Sequence, residues 1–447
     1  MDTLEAGAVR PRSEYLIALG LAAGPVVALG FTRFAYALLL PSMRSELDWS
    51  YTAAGGLNTA NALGYIIGAG SAAWWSKRLG AGRSFVLGIL ISALALLASA
   101  LTSDFTSLSV LRFVGGLSTA VTFVVGSALA SRVHAGGRQQ RSAVLVGVYM
   151  AGVGIGVVLS GIVVPAALTT WGSPGWQAGW LLMGLLALLA AGPATWAARA
   201  VPPAAPAGAT QGGRSGLGRM TPSFIWYVLF GAGYVSYMTF VIALLHDQGL
   251  STWNTAGFFI VLGSASALAT LLVWGRVIGR LRGGTAPALV SVVVLVGVLP
   301  VLLFDGLAAA IVSAVVFGSA FMAGPTAITV LARRMLPQHA WTSGIAWLTV
   351  AFSVGQAVGP LISGVLSDSE GGIAKGLWLS VILLVVSAAV ALTQRERPAA
   401  AQDEPVSAPA TTPASTETIP HCTSTEAATP RASAEADAAH RAPVEQR

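Results

Sequence analysis

Residues 143–168 read AVLVGVYMAGVGIGVVLSGIVVPAAL, 26 positions without a charge. A membrane-crossing helix needs about 20 mostly apolar residues to traverse roughly 30 Å of hydrocarbon, and this run supplies that length. Its small residues fall at helical spacing, Gly152-x-x-x-Gly156-x-x-x-Ser160-Gly161. The same order returns 203 residues later as Gly355-x-x-x-Gly359-x-x-x-Ser363-Gly364. One stretch therefore implies both a lipid-spanning helix and a duplicated chain.

The rest of the 447 residues agree: 55% are hydrophobic and only 10% charged, with a mean hydropathy of +0.73. Soluble proteins are roughly 25% charged, so the composition excludes a soluble enzyme, a disordered chain and a disulfide scaffold. The single cysteine, Cys422, allows no intramolecular disulfide, and the five histidines have no ligand spacing. No metal or cofactor is expected. A net charge of +7 would suggest nucleic acid in a soluble protein, but the basic residues are scattered through short loops and form no basic face. The N-terminus, with Asp2, Glu5 and Glu14, lacks a signal-peptide cleavage pattern, so the first apolar run is expected to insert itself.

Apolar runs occur at about 16–40, 53–75, 85–101, 108–130, 143–168 and 177–198, then at 223–245, 254–274, 286–304, 307–331, 344–366 and 376–392. They are continuously apolar rather than alternating, which predicts helices and not a barrel. Cytoplasmic loops are enriched in Lys and Arg. With the N-terminus inside, twelve spans place 18 Lys and Arg inside and two, Arg44 and Lys375, outside; one span more or fewer would destroy that split. The predicted fold is an all-α membrane protein of twelve transmembrane helices in two six-helix pseudo-repeats, multi-pass in the cytoplasmic membrane, with both termini cytoplasmic.

The expected organisation is an N-terminal segment 1–14, a bundle 15–199, a Pro/Gly-rich linker 200–221, a second bundle 222–393 and a disordered tail 394–447 without apolar periodicity. At an offset of 202, Ala54-Gly55 matches Ala256-Gly257, Arg78 matches Arg280 and Arg132 matches Arg334. An even number of spans per half makes the repeats parallel, so two similar bundles can rock about a shared midplane cavity. The small-residue stripes at Gly152, Gly156, Gly355 and Gly359 let helices approach closely, for packing, sliding or both.

Arg112-Phe113-Val114-Gly115-Gly116 in the fourth span resembles the R-x-x-x-G signature of the major facilitator superfamily. Gly355-Gln356-Ala357-Val358-Gly359-Pro360 resembles its antiporter G-x-x-x-G-P element, although that element normally sits in the fifth span, where this chain has Val157. The loop Lys77-Arg78-Leu79-Gly80-Ala81-Gly82-Arg83 keeps part of the family's loop signature, with Lys77 where a gating Asp is expected. Arg78, Arg83 and Pro360 are thus gating or helix-packing candidates. The blocks Gly30-Phe31-Thr32-Arg33-Phe34-Ala35-Tyr36 and Leu57-Asn58-Thr59-Ala60-Asn61-Ala62-Leu63-Gly64-Tyr65 look like the YbfB/YjiJ branch. The resemblance implies a transporter fold in which spans 1 and 4 line the cavity; it names no substrate.

Charges at membrane depth cost at least about 2.5–3.5 kcal/mol and mark function. Only Arg33 and Arg112 fall inside spans, and no acid does. A guanidinium binds carboxylate through two parallel hydrogen bonds, so the pair predicts grip on an anionic group. Snorkelling of Arg112 to the headgroups is the competing reading. Asn58, Asn61 and Tyr65 share one helical face, either for interhelical bonds or for substrate. Tyr36, Tyr149, Tyr237, Trp347 and Gln356 are candidate cavity wall, against plain core packing.

The expected function is a transporter of a small organic, anionic solute by alternating access, with a drug or metabolite exporter as the alternative and a membrane sensor or enzyme as a remote one. No phosphate loop occurs. With no carboxylate in a span, proton coupling would need rim groups such as Glu46, Asp48, Asp104, Asp247 and Asp305, and facilitated diffusion or anion exchange stays open. The expected partners are a small-molecule substrate, protons where transport is proton-coupled, and the lipid bilayer, with the chain a monomer and no nucleic acid bound.

Overall fold

The computed structural model describes residues 11–133, 139–172, 175–202, 217–337 and 340–396. Most of the expected N-terminal segment, most of the linker and nearly all of the tail lie outside them. The described residues form helices and no strand. The rods are α1 Ser13–Leu47, α2 Tyr51–Leu79, α3 Ala81–Ser99, α4 Phe105–Arg132, α5 Gln139–Trp171 and α6 Gly175–Ala200. They continue with α7 Thr221–Asp247, α8 Thr252–Arg280, α9 Thr285–Leu303, α10 Leu307–Met335, α11 Trp341–Ser367 and α12 Gly372–Leu392.

Eleven of these rods are long and apolar enough to cross a membrane. The twelfth, α2, has the length at 29 residues, but Asn58, Asn61, Lys77 and Arg78 lower its hydropathy. Side-chain caps begin three rods: Ser50, Asp104 and Ser251 accept from the main-chain N–H groups of Ala53, Ser107 and Asn254 at 3.1, 2.7 and 3.2 Å, pairing donors that a helix start leaves open.

Two rods differ from the sequence expectation. The first continues past Pro41 to Leu47 and contains a π-helical stretch, Val26–Phe34. Pro25 precedes that stretch, and the Thr32 hydroxyl donates to the Val27 carbonyl five residues back at 2.9 Å. The run read as 307–331 breaks at residues 321–322, between Leu307–Ala320 and Ala323–Met335. Pro325 has no N–H to donate to the carbonyl of Phe321, and its ring crowds that carbonyl.

The duplication in sequence is also a duplication in packing. Gly152 and Gly156 of α5 press on the main chain of α1 at Ala22 and Val26; Gly355 and Gly359 of α11 press on α7 at Val228 and Ala232. Likewise Gly116 of α4 meets Asn61 of α2, and Gly318 of α10 meets Leu262 of α8. The halves touch through two related pairs, α2 on α11 and α5 on α8. In the second pair Gly154 and Gly263 face each other backbone to backbone, an approach only small residues allow. Both halves belong to one compact unit, Met1–Ala400.

Candidate functional site

The π-helical stretch of α1 carries Arg33, and α4 brings Arg112 against it. Arg112 is 3% exposed. Its Nη1 donates to the Thr32 carbonyl and its Nη2 to Asn58 Oδ1 at 3.4 Å. The guanidinium lies 4.7 Å from the centre of the Tyr36 ring and 5.7 Å from that of Trp180. It is therefore held inside the bundle rather than reaching for headgroups. Arg33, 5% exposed, lies 5.5 Å from the Tyr65 ring centre. The Nε of each arginine is buried without a hydrogen-bond partner, and neither pairs with a carboxylate among the described residues. Ring faces and carbonyls offset part of the burial cost, cation–π contacts contributing about 2 kcal/mol when desolvated, but the described residues supply no countercharge. An isolated buried charge costs several kcal/mol.

Beside these arginines is a narrow cavity of about 10 Å³, lined by Arg33, Phe34, Tyr36, Ala37 and Asn58 from the first half and Val235, Met238 and Thr239 from the second. It has room for about one water molecule. The Asn58 amide donates across it to Thr239 Oγ1, which donates to the Val235 carbonyl at 2.7 Å. Asn58 thus bridges Arg112 and the opposite half. Asn61 Nδ2 donates to the Arg112 carbonyl at 3.1 Å, while its Oδ1 is buried and unpartnered.

Further along α7, Tyr234 accepts from Gln356 Nε2 at 2.6 Å. Gln356 Oε1 is buried and free. Tyr234 stacks on Phe352 at 5.7 Å, and Phe352 on Tyr227 at 4.3 Å. Arg33 is near enough to Tyr234 to interact with it electrostatically, so Arg33, Tyr65, Tyr234 and Gln356 converge between the halves.

Of the other candidates, Tyr36 donates to the Ala54 carbonyl at 2.9 Å and stacks on Trp180. Tyr149 donates to the Phe123 carbonyl at 2.9 Å. Tyr237 hydrogen-bonds to Ser313 inside the second half, and Trp347 is 47% exposed. Tyr149 is near enough to Tyr65 to interact with it electrostatically, whereas Tyr237 is bonded within the second half. Arg78 lies over Trp74, and Arg83 is exposed at the start of α3. The Pro360 carbonyl packs against Gly55.

Sequence reasoning missed Thr239, Tyr234, Trp180 and the Thr32 carbonyl. Tyr234 and Thr239 were discoverable as polar groups in an otherwise apolar run. It also missed Asp368, just past the end of α11. The Asp368 carboxylate accepts from Tyr51 N–H at 2.7 Å, Thr52 N–H at 2.8 Å and Thr52 Oγ1 at 2.5 Å. These are first-turn donors of α2 in the other half, where a helix favours negative charge. Partial burial pushes the carboxyl up, but the hydrogen bonds from Thr52 and Tyr51 outweigh it and hold the carboxyl below its ordinary range. Tyr51 also donates to Asp247 at 3.3 Å, with Arg44 stacked 3.9 Å from its ring centre. The two halves are latched at this end, which carries few basic residues.

The fold is shared with solved transporters. One is a bacterial homologue of the human lysosomal transporter Spinster in an inward-facing, unoccupied conformation, with a TM-score of 0.65 and 17% identity, covering 88% of this chain and all of that one. Another is the nucleoside transporter NupG, as a D323A mutant, with a TM-score of 0.61 and 15% identity, covering 84% and 98%. A chloramphenicol resistance protein of Streptomyces lividans is 29% identical over 410 residues, 86% of this chain and 96% of the relative. The family profile described as "Uncharacterised MFS-type transporter YbfB" matches residues 25–392. The chain thus belongs to the YbfB-type family of major facilitator superfamily transporters.

Proposed function

We propose that this membrane transporter moves a small organic anion by alternating access, with Arg33 and Arg112 holding the anionic group. The observation that carries the reading is two buried guanidinium groups, Arg33 lining the cavity between the halves and Arg112 packed within the first half against Asn58, with free Nε donors and no carboxylate partner among the described residues. A bound carboxylate would supply the missing charge and accept those donors. The collapsed cavity fits a state closed at the Asp368 end, which the Lys/Arg distribution assigns to the outside; opening there requires α2 and α11 to part. The acids of the described rods, Glu14, Glu46 and Asp247, stand at or near rod ends, so coupling to a second anion or simple facilitation is favoured over a proton relay at mid-membrane depth. The chain is read as acting alone in the cytoplasmic membrane with both ends inside.

Reconstituted in vesicles, the protein should carry radiolabelled organic acids. Arg33→Gln should reduce transport at least tenfold, and Arg33→Lys should restore it only in part, because an ammonium lacks the planar fork. Unchanged flux in Arg33→Gln would remove Arg33 from the anion site. The chloramphenicol resistance relative favours a second reading, export of a toxic compound. Raised sensitivity of a deletion strain to such compounds, with no organic-acid transport in vesicles, would select that reading.

A further inference from the structure

A second feature lies on the outer wall of the first half, away from the arginine pair. Val86 and Leu90 of α3 and Gly192, Thr195, Trp196 and Arg199 of α6 line an open groove of about 480 Å³. The missing Cβ of Gly192 shapes it: a side chain there would meet nothing within 4 Å. Thr195 gives no polarity to the groove, because its hydroxyl donates to the Ala191 carbonyl at 2.6 Å. The body of the groove is therefore apolar.

Its charged end is different. Arg199 lines the groove and is exposed, one residue before α6 stops at Ala200. Arg83 is also exposed and lies three residues before Val86, hence on the same face of α3. The two rods meet just there, since a Cβ at Gly82 would lie 3.3 Å from the Ala198 carbonyl. Neither arginine is hydrogen-bonded or ion-paired among the described residues. The first turn of α3 has no side-chain cap, its N-cap being Gly80, so main-chain donors add to the positive field. Trp196, 52% exposed, is the amphipathic ring expected at a headgroup boundary. Lys77 and Arg78 end α2 close by in sequence.

We propose that this groove is a specific site for an anionic phospholipid, with one acyl chain along Val86, Leu90 and Gly192 and the phosphate between Arg83 and Arg199. Charge complementarity selects the occupant. An apolar trough alone would take any lipid chain, whereas two unpaired guanidinium groups at its headgroup end favour a net negative headgroup over a zwitterionic one. The site is independent of the substrate cavity and of any substrate assignment.

Purified full-length protein in detergent tests this by thermal unfolding, since a ligand of the folded state raises Tm. Phosphatidylglycerol should raise Tm by several degrees, while phosphatidylcholine with the same acyl chains and inorganic phosphate should not. The Arg83→Gln/Arg199→Gln double variant should lose the phosphatidylglycerol increment. Gly192→Leu should lose it too by filling the trough, and it has the better prospect of folding because leucine favours a helix interior over glycine. Equal shifts with both lipids, or a full increment in Gly192→Leu, would overturn the proposal. An equal shift with phosphate alone would mean a free-anion site and would overturn the lipid assignment.

Discussion

Asn58 illustrates how one side chain can serve two interfaces. Its carbonyl oxygen accepts from Arg112 and its amide donates to Thr239 on the opposite half. Removing the Thr239 hydroxyl by Thr239→Val leaves the amide donor buried and unpaired, which costs about 1–3 kcal/mol. Double-mutant cycles between polar groups in membrane bundles average about 0.6 kcal/mol and reach about 1.7. The Asn58→Ala and Thr239→Val cycle should show a coupling in that range by thermal or denaturant unfolding; strict additivity would mean that the bond contributes nothing. The same residue marks the limit of sequence reading. Amides on a helical face were legible as groups needing partners, but nothing in the local sequence named Thr239, which is 181 positions away.

Among the elements, the rods were legible and their interruptions less so. Continuous apolar runs bounded by arginines define lipid-crossing helices whatever the details of packing, because exposed backbone is intolerable in hydrocarbon. The break in α10 depends on Pro325, a residue that many membrane helices absorb with a kink. The π-helical stretch of α1 depends on how Pro25, Thr32 and the α5 glycines fit together. The crossing of α2 and α11 is set by small residues: a Cβ at Gly364 would overlap the Tyr51 carbonyl. Gly364→Leu should therefore hold that end apart. In a variant with Cys422 replaced by serine, a cysteine at Ala37, which lines the cavity, should react with a membrane-impermeant thiol reagent several-fold faster when Gly364→Leu is present. An unchanged rate would show that the crossing does not close the end.

At the scale of the molecule, the same geometry recurs on both sides: α5 on α1 and α11 on α7 within the halves, α2 on α11 and α5 on α8 between them. What breaks the repeat is chemical. Among the described residues only α1 and α4 carry buried guanidinium groups, and the carboxylate contacts between the halves, from Asp368 and Asp247, both meet the start of α2. Because the Asp368 carboxyl is held below its ordinary range, its contribution to closure is complete above the usual carboxylate pKa, about 3.9, and is lost as pH falls through the lowered value. Labelling of the Ala37 cysteine, taken relative to a fully exposed cysteine at the same pH so that thiol ionisation cancels, should accordingly be flat from pH 8 to 5 and rise only in stronger acid. On the same relative scale Asp368→Ala should label fast at every pH; slow relative labelling in that variant would mean that other contacts suffice to keep the end shut.

Two of the three groups bound by Asp368 are peptide N–H groups, which no ordinary change of side chain at Tyr51 or Thr52 can erase. Control of the latch is therefore unequal between the two halves: a bolt on one side enters a socket made of plain backbone on the other. Drift in the socket's sequence leaves the fastening intact, and proline, tolerated in the first turn of a helix yet lacking the donor, is the replacement that would strip it. Tyr51→Pro should therefore loosen this end more than Tyr51→Phe does.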